Sequence, residues 1–117
     1  MATEIQNARG TVRISNHVLA NLAGYAATSC YGVVGMATRS SKDGLAKLLK
    51  KENMDKGVKI KTDGSSLEIT LYIIVEYGVN INTVGDVIKN NVKYQLEQMT
   101  GLDVRSVVVN IESIRVN

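Results

Sequence analysis

The chain has 117 residues and a formal net charge of +3, with 44% hydrophobic and 21% charged residues. This length supports one hydrophobic core and is too short for two, so we expect a single globular domain. The absence of Phe, Trp and Pro excludes an aromatic-rich core, and the single Cys excludes an internal disulfide.

The N-terminal residues lead into a first strand. Residues 1–9 contain no apolar segment typical of a signal peptide, and we expect a flexible lead-in there, followed by one domain over residues 10–117. In the run that ends at Ile14, Val12 and Ile14 alternate with polar residues, which predicts a short strand.

A helix and a buried strand are expected next. Ser15 is placed to cap a helix that ends near Cys30. The apolar stripe of this helix is predicted to comprise Val18, Leu19, Leu22, Tyr25 and Ala26. The apolar run from Tyr31 to Ala37 contains two glycines, which predicts a strand that bends or approaches other backbone closely.

The middle of the chain predicts a short helix and a hairpin. Leucines and lysines recur at helical spacing over residues 43–51, which indicates a short amphipathic helix. Asp63-Gly64 is typical of a tight turn between two strands. The second of these strands covers residues 67–77, and we expect one of its faces in the core, formed by Leu67, Ile69, Leu71, Ile73, Val75 and Tyr77.

The longest helix is predicted after Gly78. It starts near Asn82 or Thr83, because Thr83 and Asp86 resemble a capping box, and it ends before Gly101. The stripe expected in the core comprises Ile81, Val84, Ile88, Val92, Leu96 and Met99. A last strand runs from Val104 to about Ile114.

The predicted elements have the order β-α-β-α-β-β-α-β. A hairpin flanked by helices in this order favours an α+β fold. We predict a two-layer sandwich, in which a mixed sheet of about 4–5 strands packs against two main helices and one short helix.

No grouping of residues predicts catalysis or metal binding. His17 lies on the polar side of the first helix and is interpreted as a solvated surface residue. Cys30 follows among small residues, which is typical of a buried structural thiol. One His and one Cys provide no ligand cluster at zinc spacing, so we expect no catalytic residue, no metal and no cofactor.

Positive charge is concentrated between residues 42 and 61, where there are seven lysines and three acidic residues. Such a segment is either a solvated face or a docking surface for an anionic partner or an acidic protein segment. The candidate partner-binding residues are Lys42, Lys47, Lys50, Lys51, Lys56 and Lys59. Few aromatic residues interleave with these lysines, so a nucleic-acid-binding module is kept only as the alternative function.

Two apolar residues lie on the outer side of the long helix. Val87 and Tyr94 are seven positions apart and point away from the predicted core stripe. Such a pair is either simply tolerated on the surface, which is common, or marks the self-association surface of a homo-oligomer.

Several motifs, in order along the chain, resemble those of one family. The first part contains G-T-V-R-I-S and G-V-V-G-M, the middle contains D-G-L-A-K-L-L-K-K, and the last part contains I-I-V-E-Y-G-V-N-I, Q-M-T-G-L-D-V and V-V-V-N-I. Over residues 10–116 the ordered set resembles the alkaline shock protein family, the envelope stress-response proteins of Gram-positive bacteria.

The resemblance implies a non-enzymatic, cytoplasmic scaffold or adaptor that acts at the inner face of the cell membrane. It implies recruitment by an integral-membrane partner, without direct insertion into the bilayer. No catalytic residue is known for the family, so none is carried over. The other hypotheses are the nucleic-acid-binding module and an enzyme or carrier with an unrecognised pocket.

Overall fold

The computed structural model of the chain describes residues 2–7, 10–37, 56–64 and 66–116. The short helix predicted over residues 43–51 lies outside these ranges. The described elements are β1 (Ala2–Asn7), β2 (Gly10–Ser15), α1 (Asn16–Thr28), β3 (Val33–Met36), β4 (Val58–Asp63), β5 (Ser66–Glu76), α2 (Ile81–Thr100) and β6 (Asp103–Arg115).

Strand β5 is the centre of the main sheet. On one edge, β4 pairs antiparallel with its first half and β3 pairs antiparallel with its second half. On the other edge, β6 pairs parallel along its length, and a parallel neighbour requires a crossover, which α2 supplies. The predicted mixed sheet and α+β fold are therefore confirmed.

Both helices pack on one face of this sheet. Helix α1 contacts β3 and β4, α2 contacts β6, and the two helices contact each other. The residues of β5 that face them are fully buried: Leu67, Ile69, Leu71, Ile73 and Val75. The predicted core face of β5 is confirmed apart from Tyr77, which is 73% exposed because the strand ends one residue earlier.

The hairpin between β4 and β5 has the predicted tight turn. Asp63 pairs with Ser66, and Gly64 has a φ of +62°. A positive φ is the left-handed conformation that two-residue hairpin loops need and that glycine adopts without steric strain.

Helix α1 begins where Ser15 predicts, because the Val18 N–H donates to the Ser15 hydroxyl at 3.2 Å. Its predicted apolar stripe is partly correct. Leu19 and Ala26 are buried and Leu22 packs against the core, whereas Val18 and Tyr25 are 46% and 58% exposed. The buried residues are mostly small and comprise Leu19, Ala20, Ala23, Gly24, Ala26 and Ala27. Small side chains let a helix approach its neighbours closely, which hydrophobicity alone does not reveal.

Helix α2 ends as predicted but begins slightly earlier. The Thr83 N–H donates to the Asn80 side-chain oxygen at 3.1 Å, so Asn80 is the N-cap and the predicted Thr83–Asp86 capping box is not used. At the other end Gly101 has a φ of +73°, and its N–H donates to the Glu97 carbonyl at 2.9 Å.

The stripe predicted along α2 is buried only in its middle. Val84, Ile88, Val92 and Leu96 are buried, whereas Ile81 and Met99 are 43% and 60% exposed. Ile81 and Met99 lie in the first and last turns, where the helix has fewer neighbours to cover it.

Residues 2–7 form a strand that the sequence does not predict. Ala2–Asn7 forms β1, which pairs antiparallel with β2, whereas the sequence predicts a flexible lead-in over residues 1–9. These two strands form a sheet of their own among the described residues. Composition does not predict this backbone pairing with β2.

Candidate docking site

A cleft of about 390 Å³ opens where the end of α1, the end of β5 and the start of α2 meet. The residues that line it are Tyr31, Glu76, Tyr77, Gly78, Val79, Asn80, Thr83 and Val84. Its volume is in the range of sites that hold small ligands or single side chains of a partner.

Two tyrosines that line this cleft each precede a glycine. Tyr31 precedes Gly32 and Tyr77 precedes Gly78. The two glycines have φ values of +87° and +91°. The Glu76 N–H donates to the Gly32 carbonyl at 2.9 Å, which brings the two pairs together. Tyr31 and Tyr77 are 84% and 73% exposed, so both rings are available to a partner.

A side chain at position 32 would press against two residues that line the cleft. A Cβ atom there would lie 3.1 Å from Val79 Cγ1 and 3.1 Å from Val84 Cγ2. The sequence predicts a bend or a close backbone approach in this glycine-containing run. Gly32 has a positive φ, and its carbonyl accepts from the Glu76 N–H. The cleft itself is not predicted, although the repeated Tyr-Gly pair is visible in the sequence.

A polar contact fixes α1 against α2 beside the cleft. The Asn91 side-chain amide donates to the Ala26 carbonyl at 2.9 Å and to Cys30 Sγ at 3.4 Å. Gln95 donates to the Asn91 side-chain oxygen at 3.0 Å, which orients the amide. Cys30 is 9% exposed, so the predicted buried thiol is confirmed.

His17 and Cys30 are not brought together. His17 is exposed, as predicted, and its Nε2 is 3.2 Å from the Asn21 side-chain nitrogen. In the part of the chain that the structure describes, no three His, Cys, Asp or Glu side chains are close enough to hold a metal ion.

Four of the six candidate lysines lie outside the residues that the structure describes. Lys42, Lys47, Lys50 and Lys51 lie outside the described residues, whereas Lys56 and Lys59 are described and exposed. The nearby Lys61 ammonium is 3.9 Å from the Glu68 carboxylate. The partner-binding role of the six lysines therefore stays a prediction.

The predicted apolar pair on α2 is exposed. Val87 is 48% exposed and Tyr94 is 65% exposed, while the core stripe of the same helix is buried in its middle turns. Self-association through these two residues stays a prediction.

Neither helix has the length and apolar character of a membrane span. Within residues 2–7, 10–37, 56–64 and 66–116, no helix could cross a bilayer.

Comparison with known proteins supplies the family. A model of the alkaline shock protein 23 family, described by a cell envelope-related function, matches residues 4–116. An uncharacterized protein of Bacillus subtilis, YloU, is 43% identical over 117 residues, which cover 99% of this chain and 98% of that protein. An uncharacterized protein of Streptococcus pyogenes, Spy1614, is 38% identical over 117 residues, which cover 99% of this chain and 97% of its own length.

A more distant relative has a descriptive name. The stress response regulator gls24 homolog of Streptococcus pyogenes is 27% identical over 107 residues, which cover 92% of this chain and 60% of that protein. No solved structure matches the chain.

Proposed function

This chain belongs to the alkaline shock protein 23 family, and from that premise we propose that it is a non-enzymatic scaffold or adaptor of the envelope stress response. The family has a cell envelope-related function, and one relative is named a stress response regulator. In this proposal the chain acts at the inner face of the cell membrane, where an integral-membrane partner recruits it.

The observation that carries the proposal is the exposed pair Val87 and Tyr94. Two turns of helix separate the two residues, so they are about 10 Å apart along the axis on one side of α2. Tyrosine is enriched among the residues that carry most of the binding energy at protein–protein interfaces, so an exposed Val-Tyr pair on one side of a helix suits an interface. A partner that covers them would hold the chain through the rigid helix α2, which Asn91 ties to α1.

Replacing both Val87 and Tyr94 with glutamate is expected to release the chain from its partner. Two charges would then have to be desolvated at the interface, and we expect the envelope-to-cytoplasm ratio of a fluorescently tagged copy to fall about tenfold. The fold should persist, because both side chains are exposed. Light scattering of the purified protein would show, by a lower mass, whether the pair also joins copies to each other.

Val108→Glu is the matched control. Val108 is also 48% exposed but lies on β6, so this substitution introduces one of the two added negative charges on another surface. An unchanged ratio in the Val87 and Tyr94 double variant would contradict the proposal. An equal loss in Val108→Glu would also contradict it, because charge alone would then explain the effect.

The lysine segment permits a second test. If it docks on an acidic partner, replacing Lys47, Lys50 and Lys51 with glutamate should reduce the envelope-to-cytoplasm ratio by about tenfold. If it binds nucleic acid, the unchanged protein should bind RNA or DNA oligonucleotides with an affinity that falls steeply with salt, because each neutralised phosphate releases counterions. An unchanged ratio together with flat titrations would leave the segment as a solvated face.

A further inference from the structure

The tyrosine cleft has the chemistry of a site for a basic side chain. We propose that it binds an arginine side chain of a partner protein, with the guanidinium stacked on Tyr31 or Tyr77 and paired with the Glu76 carboxylate. This site is distinct from the Val87 and Tyr94 pair, and its occupation does not depend on that pair being an interface.

The two aromatic rings supply the first part of the site. Tyr31 and Tyr77 line the cleft although they are 84% and 73% exposed, so their faces are not used to fill the core. A guanidinium is planar and weakly hydrated, and it stacks on aromatic faces better than the compact ammonium of lysine does. The exposed rings therefore favour arginine.

Glu76 contributes a negative charge to the cleft. It is the one carboxylic acid among the described residues that line the cleft, and it is partly buried. Arg115 is its Cα partner on β6, yet no ion pair or hydrogen bond engages the Glu76 side chain within the part of the chain that the structure describes. A carboxylate beside two tyrosines is complementary to a cation from outside the chain.

The same residues disfavour an anion. Although the start of α2 borders the cleft, the Asn80 side chain accepts from the Thr83 N–H, and the Asn80 carbonyl accepts from the Val84 N–H. The described lining residues include no lysine or arginine, and Glu76 would repel a phosphate or carboxylate. A nucleic-acid strand, which needs positive charge along its backbone, therefore fits the site poorly.

The proposal can be tested by NMR on the isotope-labelled full chain. The probe is a blocked peptide with the sequence Gly-Ser-Arg-Ser-Gly, and the matched probe carries citrulline, which keeps the shape of arginine but has no charge. We expect saturable shifts of the Gly32, Gly78 and Asn80 amides with the arginine peptide, and about fivefold weaker binding of the citrulline peptide.

Substitutions separate the site from general charge effects. Glu76→Gln should weaken binding of the arginine peptide about fivefold, whereas Glu112→Gln, which removes an exposed carboxylate on β6, should leave it unchanged. Tyr31→Leu should also weaken binding, and unchanged amide shifts elsewhere would show that the fold persists.

Three results would overturn the proposal. The first is the absence of saturable shifts with arginine peptide up to about 10 mM. The second is equal binding of the citrulline peptide or an equal loss in Glu112→Gln. The third is stronger shifts of the same amides with a short uridine oligonucleotide, which would identify a nucleic-acid site instead.

Discussion

Replacing Ile88 with alanine is expected to lower the free energy of unfolding by about 3 kcal/mol. Ile88 is 0% exposed in the middle of α2 and belongs to the core cluster that joins both helices to the sheet. The truncation removes buried methyl and methylene groups and leaves a cavity that the surrounding structure fills only in part. Urea unfolding of the full chain, followed by circular dichroism, measures the change.

Ile81→Ala is the matched control. Ile81 lies on the same helix and on the same predicted stripe, but it is 43% exposed, so its loss should cost about 1 kcal/mol or less. The gain in helix propensity from Ile to Ala applies to the interior position 88 and is well below 1 kcal/mol, so it does not reverse the expected order of the two costs. Equal costs at the two positions, with unchanged dependence on urea, would contradict the packing described for α2.

Replacing Gly32 with alanine is expected to lower the free energy of unfolding by about 2 kcal/mol. A residue with a side chain is strained at a φ of +87°, and its Cβ would also press against Val79 and Val84 at 3.1 Å. The midpoint of thermal unfolding should fall accordingly. A neutral substitution would show that the chain relaxes at this position without cost.

Gly85→Ala provides a control of opposite sign. Gly85 lies inside α2, and a Cβ there would meet nothing within 4 Å. Because glycine is a poor helix former, the alanine variant should be more stable by about 0.5–1 kcal/mol. A loss of stability in Gly85→Ala would contradict the open, helical surroundings described for position 85, and the comparison with Gly32 would then fail.

The features that sequence predicts well are those with local chemistry. Ser15 and Gly101 satisfy the end groups of their own helices, and Gly64 turns a hairpin whose strands are adjacent in the chain. The alternating face of β5 is also correct, because a period of two is the geometry of the strand itself.

The burial of helix faces is predicted less well, because it depends on neighbours. Ile81 and Met99 share a stripe with buried residues but lie in the end turns of α2. In α1 the exposed Val18 and Tyr25 are larger than the alanines that are buried. Val18 is more hydrophobic than these alanines. The face of α1 that is buried is nevertheless the one whose side chains are small enough to pack against the neighbouring elements.

The candidate cleft is not predicted from the sequence for a related reason. Tyr31 and Tyr77 are distant in the chain and come together only when β3 pairs with the end of β5. Alternation along the strand assigns Glu76 to a solvated sheet face, although it lines the cleft. The two Tyr-Gly pairs are the available signal, since each predicts a turn that displays an aromatic ring.

One of the motifs that resemble the family has a structural role. In Q-M-T-G-L-D-V, the Thr100 hydroxyl donates to the Leu96 carbonyl at 2.6 Å and accepts from the Leu102 N–H at 3.2 Å. The Glu97 carboxylate, just before it, accepts from the Val104 N–H at 3.2 Å. These contacts form the exit from α2 into β6, so recognising the family does not by itself locate a binding surface.

The central position of β5 has a consequence for the folding route. Its three neighbours in the main sheet come from different distances along the chain, and the entropy of closing a loop rises with that distance. The loop-closure entropy is smallest for β4, because only the tight turn at Gly64 separates it from β5. Pairing of β6 requires closure of a longer segment that includes α2. We therefore expect the β4–β5 hairpin to form first, and β3 and β6 to pair with β5 afterwards.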